Sequence, residues 1–128
     1  MNNTGIKKTA GLSPVQILAN VEFKVTFGVV VSKDIDTSAI VVENGRKIVK
    51  AGTPLSGNLD ARTTPFTLGT TNTVGILLHD VDVTDNNANG TLLVFGWVNT
   101  NRLHPTAKAL VTDEVKTALN AKVTFLAC

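Results

Sequence analysis

The stretch Val74–Val98 reads VGILLHDVDVTDNNANGTLLVFGWV. Two apolar runs, Val74–Leu78 and Leu92–Val98, stand on either side of a segment rich in Asp, Asn and Gly. Both runs are short and bounded by turn residues. Buried strands read this way, whereas a helix of equal burial needs a longer periodic run. Asp85–Gly90 has the composition of a turn, because Asn and Asp tolerate left-handed backbone and Gly90 carries no Cβ. The centre of the protein is therefore expected to be a pair of adjacent strands joined by a polar link, with the rest of the chain packed on it.

Working outward, Ile40–Val49 (IVVENGRKIV) places Asn44-Gly45 between two apolar runs. That pair is preferred in type I′ turns, where both residues take positive φ, so a β-hairpin is expected. Glu22–Ser32 (EFKVTFGVVVS) alternates, with Phe23, Val25 and Phe27 on one side and Glu22, Lys24 and Thr26 on the other, as a half-buried strand does. Gly28 breaks the alternation and predicts a bulge or bend there. Lys50–Gly57 reads as turn, short strand, turn. Asn58–Thr73 is a long polar loop in which Pro65, Phe66 and Leu68 are placed to tuck against the core.

Toward the C-terminus, Asn99–Thr112 reads as an irregular connection with room for one turn of helix. Thr112 suits an N-cap, Asp113 and Glu114 suit the first turn of a helix, and Val115 and Leu119 share one face. Asp113–Leu119 is thus the expected short helix, and Lys122–Leu126 a closing strand. Leu12–Asn20 (LSPVQILAN) fits either a helix capped at Ser13 or an extended strand; exposed, its Leu12, Val15, Ile17 and Leu18 would form a docking strip. Met1–Gly11 is polar and basic, with too little apolar surface to offset an ordering cost of about 1–2 kcal/mol per residue. The expected organisation is a flexible N-terminal arm over residues 1–21 and one β-rich domain over 22–128.

At 128 residues and 43% hydrophobic content, one domain with a buried core is expected. The net charge of +2 comes from scattered Lys and Arg, which lack the basic stripe of a nucleic-acid binder. Cys128 is the one cysteine and has no internal partner for a disulfide. No apolar run approaches the ~18 residues of a membrane span, and no signal peptide is evident. His79, Asp80, Asp82 and Asp85 offer the best metal candidate, yet the run lacks the central Gly and terminal Glu of a calcium loop. Alternation makes a solvated strand end the better reading. His79 and His104 are the two histidines, and neither sits in a recognisable nucleophile motif, so neither catalysis nor a cofactor is expected. Trp97, after Gly96 in an apolar run, reads as a core residue or an oligomer anchor.

The order of these features resembles the lambda-type bacteriophage head decoration, or capsid cement, proteins. The resemblance rests on KAGTPL at Lys50–Leu55, GILLHDVDVTD at Gly75–Asp85 and LLVFGWVN at Leu92–Asn99, followed by a short helix and a last strand. It spans Glu43 to Leu126, and Leu12–Val42 has no residue-by-residue match. It implies a mainly β protein with a small α/β portion: one compact β-barrel-like domain, one short C-terminal helix and the flexible arm. It implies no enzyme, but a virion protein made in the host bacterial cytoplasm. Its partner would be the major capsid protein of a phage head. A homotrimer on the outer surface of the expanded head, at threefold and quasi-threefold sites, would stabilise it against packaged DNA. The capsid-binding residues expected are Ile6, Lys7, Lys8, Leu12, Val15, Ile17 and Leu18, and the trimer residues Trp97, Asn99, Arg102, His104 and Pro105. No direct nucleic-acid or membrane contact is expected.

Arg46–Leu55 (RKIVKAGTPL) also resembles the turn-and-strand pattern of biotinyl or lipoyl carrier domains. A carrier presents a modifiable lysine in an exposed hairpin, and here the hairpin carries Asn44-Gly45 with Lys47 beyond it.

Overall fold

A computed structural model describes residues 16–127. In chain order the strands are β1 (Val25–Val31), β2 (Ile40–Glu43), β3 (Arg46–Val49), β4 (Pro54–Ser56), β5 (Thr67–Leu68), β6 (Gly75–Leu77), β7 (Val81–Asp82), β8 (Ala88–Asn99) and β9 (Val123–Leu126). Two short helices, α1 (Pro105–Leu110) and α2 (Asp113–Ala118), lie between β8 and β9. The fold is mainly β, as the sequence indicates. One sheet runs β1-β8-β6-β4-β5 with β9 added beside β8, and a second runs β2-β3-β7. Neither path closes into a barrel among the described strands.

The two apolar runs of the opening stretch are neighbours: β6 lies antiparallel to β8, with Ile76 opposite Leu93 and Leu77 opposite Leu92. Their link is more structured than a turn, since β7 leaves it to join β3 in the second sheet. Ala88–Gly90, expected in the turn, already belongs to β8 and pairs with Val29–Val31. Side chains alternate across a strand, so adjacent residues of β6 and β8 enter different cores. Ile76 and Leu93 meet Ile17, Leu18, Leu103, Val115 and Leu119 on one face. Leu77 and Leu92 meet Val31, Val49, Leu55, Phe66 and Val83 on the other.

The hairpin forms as predicted. Ile40 faces Val49, Glu43 faces Arg46, and Asn44 and Gly45 take φ of 53° and 76°. Phe66 is fully buried, holding the long loop against the second core, while Pro65 stays at the surface. The bulge expected at Gly28 lies elsewhere. Gly28 pairs regularly with Thr91, and the irregularity falls between Val25 and Thr26, opposite Phe95 and Leu93. There β8 stops pairing with β1 and begins pairing with the segment at Ile17–Ala19.

That segment corrects the expected boundary at residue 21. Its described part is not a helix. Ala19 N–H donates to Trp97 O and Asn99 N–H to Ile17 O, each at 2.8 Å, and Leu18 bridges Val98 antiparallel. Ile17 and Leu18 are 1% and 2% exposed, so from Gln16 onward the chain is part of the body. The Asx turn in which Asn20 Oδ1 accepts from Glu22 N–H then leads the chain toward β1.

The expected C-terminal helix is α2, with Asp113 and Glu114 in its first turn and Val115 buried. A second helix, α1, occupies the connection read as irregular. Pro105 is at its start and His104 Nδ1 accepts from Thr106 N–H. Its six residues are too few to show an apolar period. Ala121, at φ 64°, then turns the chain into β9, which runs parallel to the end of β8.

Two-sided burial makes β8 the costliest place to remove volume. Leu92→Ala is expected to destabilise by about 2–5 kcal/mol, while Val42→Ala, at a side chain 68% exposed, stays within about 0.5 kcal/mol. Urea unfolding of both variants measures the contrast.

Candidate interaction surface

Phe23, Phe95 and Trp97 form a ring cluster on the outside of the body. Phe23 lies 5.3 Å from Trp97 and 6.0 Å from Phe95, and Phe95 meets Trp97 edge-on at 5.7 Å between centroids. Val25 is the register partner of Phe95, which brings the start of β1 to the same place. Phe23 is 58% exposed and Val21 and Val25 are 48% exposed, while Phe95 and Trp97 are half-buried. The strand expected from Glu22 begins only at Val25, and Glu22 through Val25 are all exposed, so the apolar positions Phe23 and Val25 meet water. Gly96 sits between the two β8 aromatics at φ 155°, a conformation L side chains rarely adopt.

The cluster lies where the described chain begins. Ile17–Ala19 pairs with Trp97–Asn99, and Arg102 holds the preceding residue, its Nη1 donating to Gln16 O at 3.1 Å. The other expected trimer residues have local roles. Asn99 is buried and its Oδ1 accepts from Asn101 N–H, capping the 3-10 turn Thr100–Arg102. His104 caps α1, and Pro105 is its exposed first residue. Of the expected capsid contacts, Ile6, Lys7, Lys8, Leu12 and Val15 lie outside the described residues. Ile17 and Leu18 are core side chains, so the exposed strip drawn through them does not form. Val21, Phe23, Val25 and Phe95 are the surface residues that sequence reading missed as a group. Their signal was the apolar alternation beside a second aromatic pair.

The Asp80–Asp85 run is used for ion pairing at the second sheet, between the link and the β2–β3 hairpin. Lys50 Nζ donates to Glu43 Oε1 at 2.8 Å and to Asp80 Oδ2 at 3.3 Å, and Asp80 Oδ1 accepts from Ala51 N–H at 2.8 Å. The Lys50 and Asp80 side chains are 7% and 5% exposed. Burial pushes the Lys50 ammonium down, yet the hydrogen bond to Glu43 and the Asp80 charge leave it above its ordinary value. Asp82 accepts from Arg46 Nε at 2.8 Å and from Thr84 Oγ1 at 2.6 Å. Burial pushes the Asp82 carboxyl up, but the bonds from Thr84 and Arg46 outweigh it and hold the group below the usual range. Lys47 is on the outside of β3, and its N–H donates to Thr84 Oγ1, which places it within paired backbone and away from the hairpin tip. Among the described residues no cluster of three or more His, Cys, Asp or Glu side chains is arranged to hold a metal ion, and no helix is long and apolar enough to cross a membrane.

No family model and no curated protein matches the chain.

Two consequences follow from the ion pairs. Lys50→Met removes the buried ammonium that Asp80 and Glu43 share and should cost about 3–5 kcal/mol in urea unfolding. Because Asp82 titrates lower when folded, its stabilisation is complete above the unfolded value, about pH 3.9, and is lost as pH falls through the folded one. Asp82→Asn should therefore flatten the acid limb of the stability profile below about pH 4 relative to wild type, measured by thermal unfolding across pH.

Proposed function

We propose that this chain is a non-catalytic head decoration protein of the lambda type. In this reading it is made in a bacterial cytoplasm and bound as a homotrimer to the major capsid protein on the outside of an expanded phage head. The observation that carries the reading is the apolar surface of Val21, Phe23, Val25, Phe95 and Trp97 beside the point where the N-terminal segment joins the body. A contiguous, aromatic, outward-facing patch is what an association surface presents. Trp97 and Phe23 are its anchors, and the copies meet there. The two open sheets serve as the barrel-like body, and the residues before Gln16 serve as the arm that reaches the shell.

Energetics favour this division of labour. A polar arm alone binds weakly because its ordering is costly. Three arms on one trimer raise avidity by ~10²–10⁴ without new kinds of contact. The engagement of Asp80 and Asp82 by Lys50 and Arg46 also supports a structural role for the one acidic run that suggested chemistry.

Light scattering on the purified protein should return a trimer of 13.5 kDa chains, and Phe23→Ser should return a monomer with little change in thermal unfolding. Co-sedimentation with expanded heads of the phage that encodes the chain should show wild type bound and a version lacking Met1–Gly11 largely unbound. A monomeric wild type that ignores those heads would overturn the reading.

A further inference from the structure

Strands β3 and β7 run antiparallel, with Ile48 opposite Asp82 and Val49 opposite Val81. One step further along the same register, Lys50 comes opposite Asp80. Side chains at such positions start about 4.5–5.5 Å apart at Cβ. Here they meet: Lys50 Nζ lies 3.3 Å from Asp80 Oδ2, and the two side chains are 7% and 5% exposed. Glu43, the last residue of β2, brings a second carboxylate to the same amine, with Oε1 at 2.8 Å from Nζ. The other Asp80 oxygen, Oδ1, accepts from Ala51 N–H at 2.8 Å.

An amine, a carboxyl group and a second carboxylate held in this way suit a condensation. Oδ1 already has a main-chain donor, which favours the negative charge that builds there when a nucleophile adds to Cγ. Oδ2, the oxygen nearest the amine, is the one placed to leave. Glu43 touches the amine, and its side chain is 31% exposed, so it can take up a proton and pass it on. Reacting groups held in good alignment behave as though at roughly 10⁵–10⁸ M. Burial supplies the drive, because two charges kept from water are costly and the amide that replaces them is neutral. A cavity of about 150 Å³ bordered by Lys50, Asp80, Ile17 and Leu103 has room for the water released.

We infer that Lys50 and Asp80 join in an intramolecular isopeptide bond, with Glu43 as the proton carrier. Lys50 first hands one proton to Oδ2 along their hydrogen bond, which leaves a neutral amine beside a neutral carboxyl group. The amine adds its electron pair to Asp80 Cγ, and Oδ1 takes the negative charge against Ala51 N–H. The nitrogen, now positive, gives a second proton to Glu43, which delivers it to Oδ2. The Cγ–Oδ2 bond breaks, Oδ2 leaves with the bonding pair as water, and Oδ1 becomes the amide oxygen. The nitrogen keeps one hydrogen, and Glu43 ends as the carboxylate it began as. Burial favours the neutral amine, while the Glu43 bond and the Asp80 charge favour the ammonium and outweigh it. The first proton transfer is therefore slow, and the bond forms on standing. It ties the turn after β3 to the link before β7, joining positions 30 residues apart.

The bond forms within one chain, so purified full-length protein is the sample. After prolonged standing near neutral pH, denatured wild type should weigh less than its sequence by one water. A protease digest should hold Lys50 and Asp80 in one branched peptide. Lys50→Arg should keep its full mass, and Glu43→Gln should convert at least tenfold more slowly than wild type. Should Lys50→Arg fail to fold, the branched peptide of wild type decides alone. Wild type at full mass would overturn the bond and leave an ion pair in its place. Loss of water from Lys50→Arg, or a lighter wild type without the branched peptide, would put the dehydration elsewhere and overturn it too. Folded Glu43→Gln converting at the wild-type rate would overturn the role given to Glu43. The decoration reading stands or falls separately, on binding to heads.

Discussion

Leu92 and Leu93 are neighbours in sequence and belong to different cores. Most of the architecture follows from that one constraint. A strand buried on both faces, paired with another of the same kind in β6, needs apolar cover above and below. Above lie the helices, β9 and the segment at Ile17–Leu18. Below lie the hairpin, β7 and the loop that delivers Phe66. The polar link between β6 and β8 is long because it crosses between sheets and leaves β7 on the second one. The ion pairs of Lys50 and Arg46 sit at this crossing, tying the hairpin to the link through Asp80 and Asp82.

Local chemistry was legible in the sequence and long-range placement was not. Asn44-Gly45 declared its turn because few pairs take two positive φ values. Asp113 and Glu114 declared the start of α2 through their place at a helix N-terminus. The turn of helix expected somewhere in Asn99–Thr112 is α1, but its place went unread because PTAKAL is too short for a period and its cap is a histidine rather than Ser, Thr, Asp or Asn. Gly28 drew attention as a breaker, yet the irregularity belongs to a change of partner along β8, which no single position announces.

The candidate surface shows the same limit. A period of two tells which residues share a face, and it does not tell which face is covered. Phe23, Val25 and Phe27 were read as the buried side of one strand, but β1 starts at Val25, and Phe23 and Val25 meet water. Conversely, Ile17 and Leu18 looked like a free strip and are core, because Trp97–Asn99 offers them a strand edge some eighty residues later. Trp97 was rightly suspected. Its two phenylalanine neighbours, one distant in sequence, needed the fold to bring them into contact.

The parallel pairing of β9 with Gly96–Asn99 gives the chain a direction in time. During synthesis β8 can find β6 and β1 while one side of its final residues still has no neighbour. The strand that fills the place, Val123–Leu126, leaves the ribosome after the other described elements. Until then the nascent protein carries an unfinished sheet with Leu93 and Val98 partly uncovered, the kind of intermediate that associates wrongly when crowded. Helices α1 and α2 are the tether that brings β9 back, so their short lengths set how soon the sheet is completed.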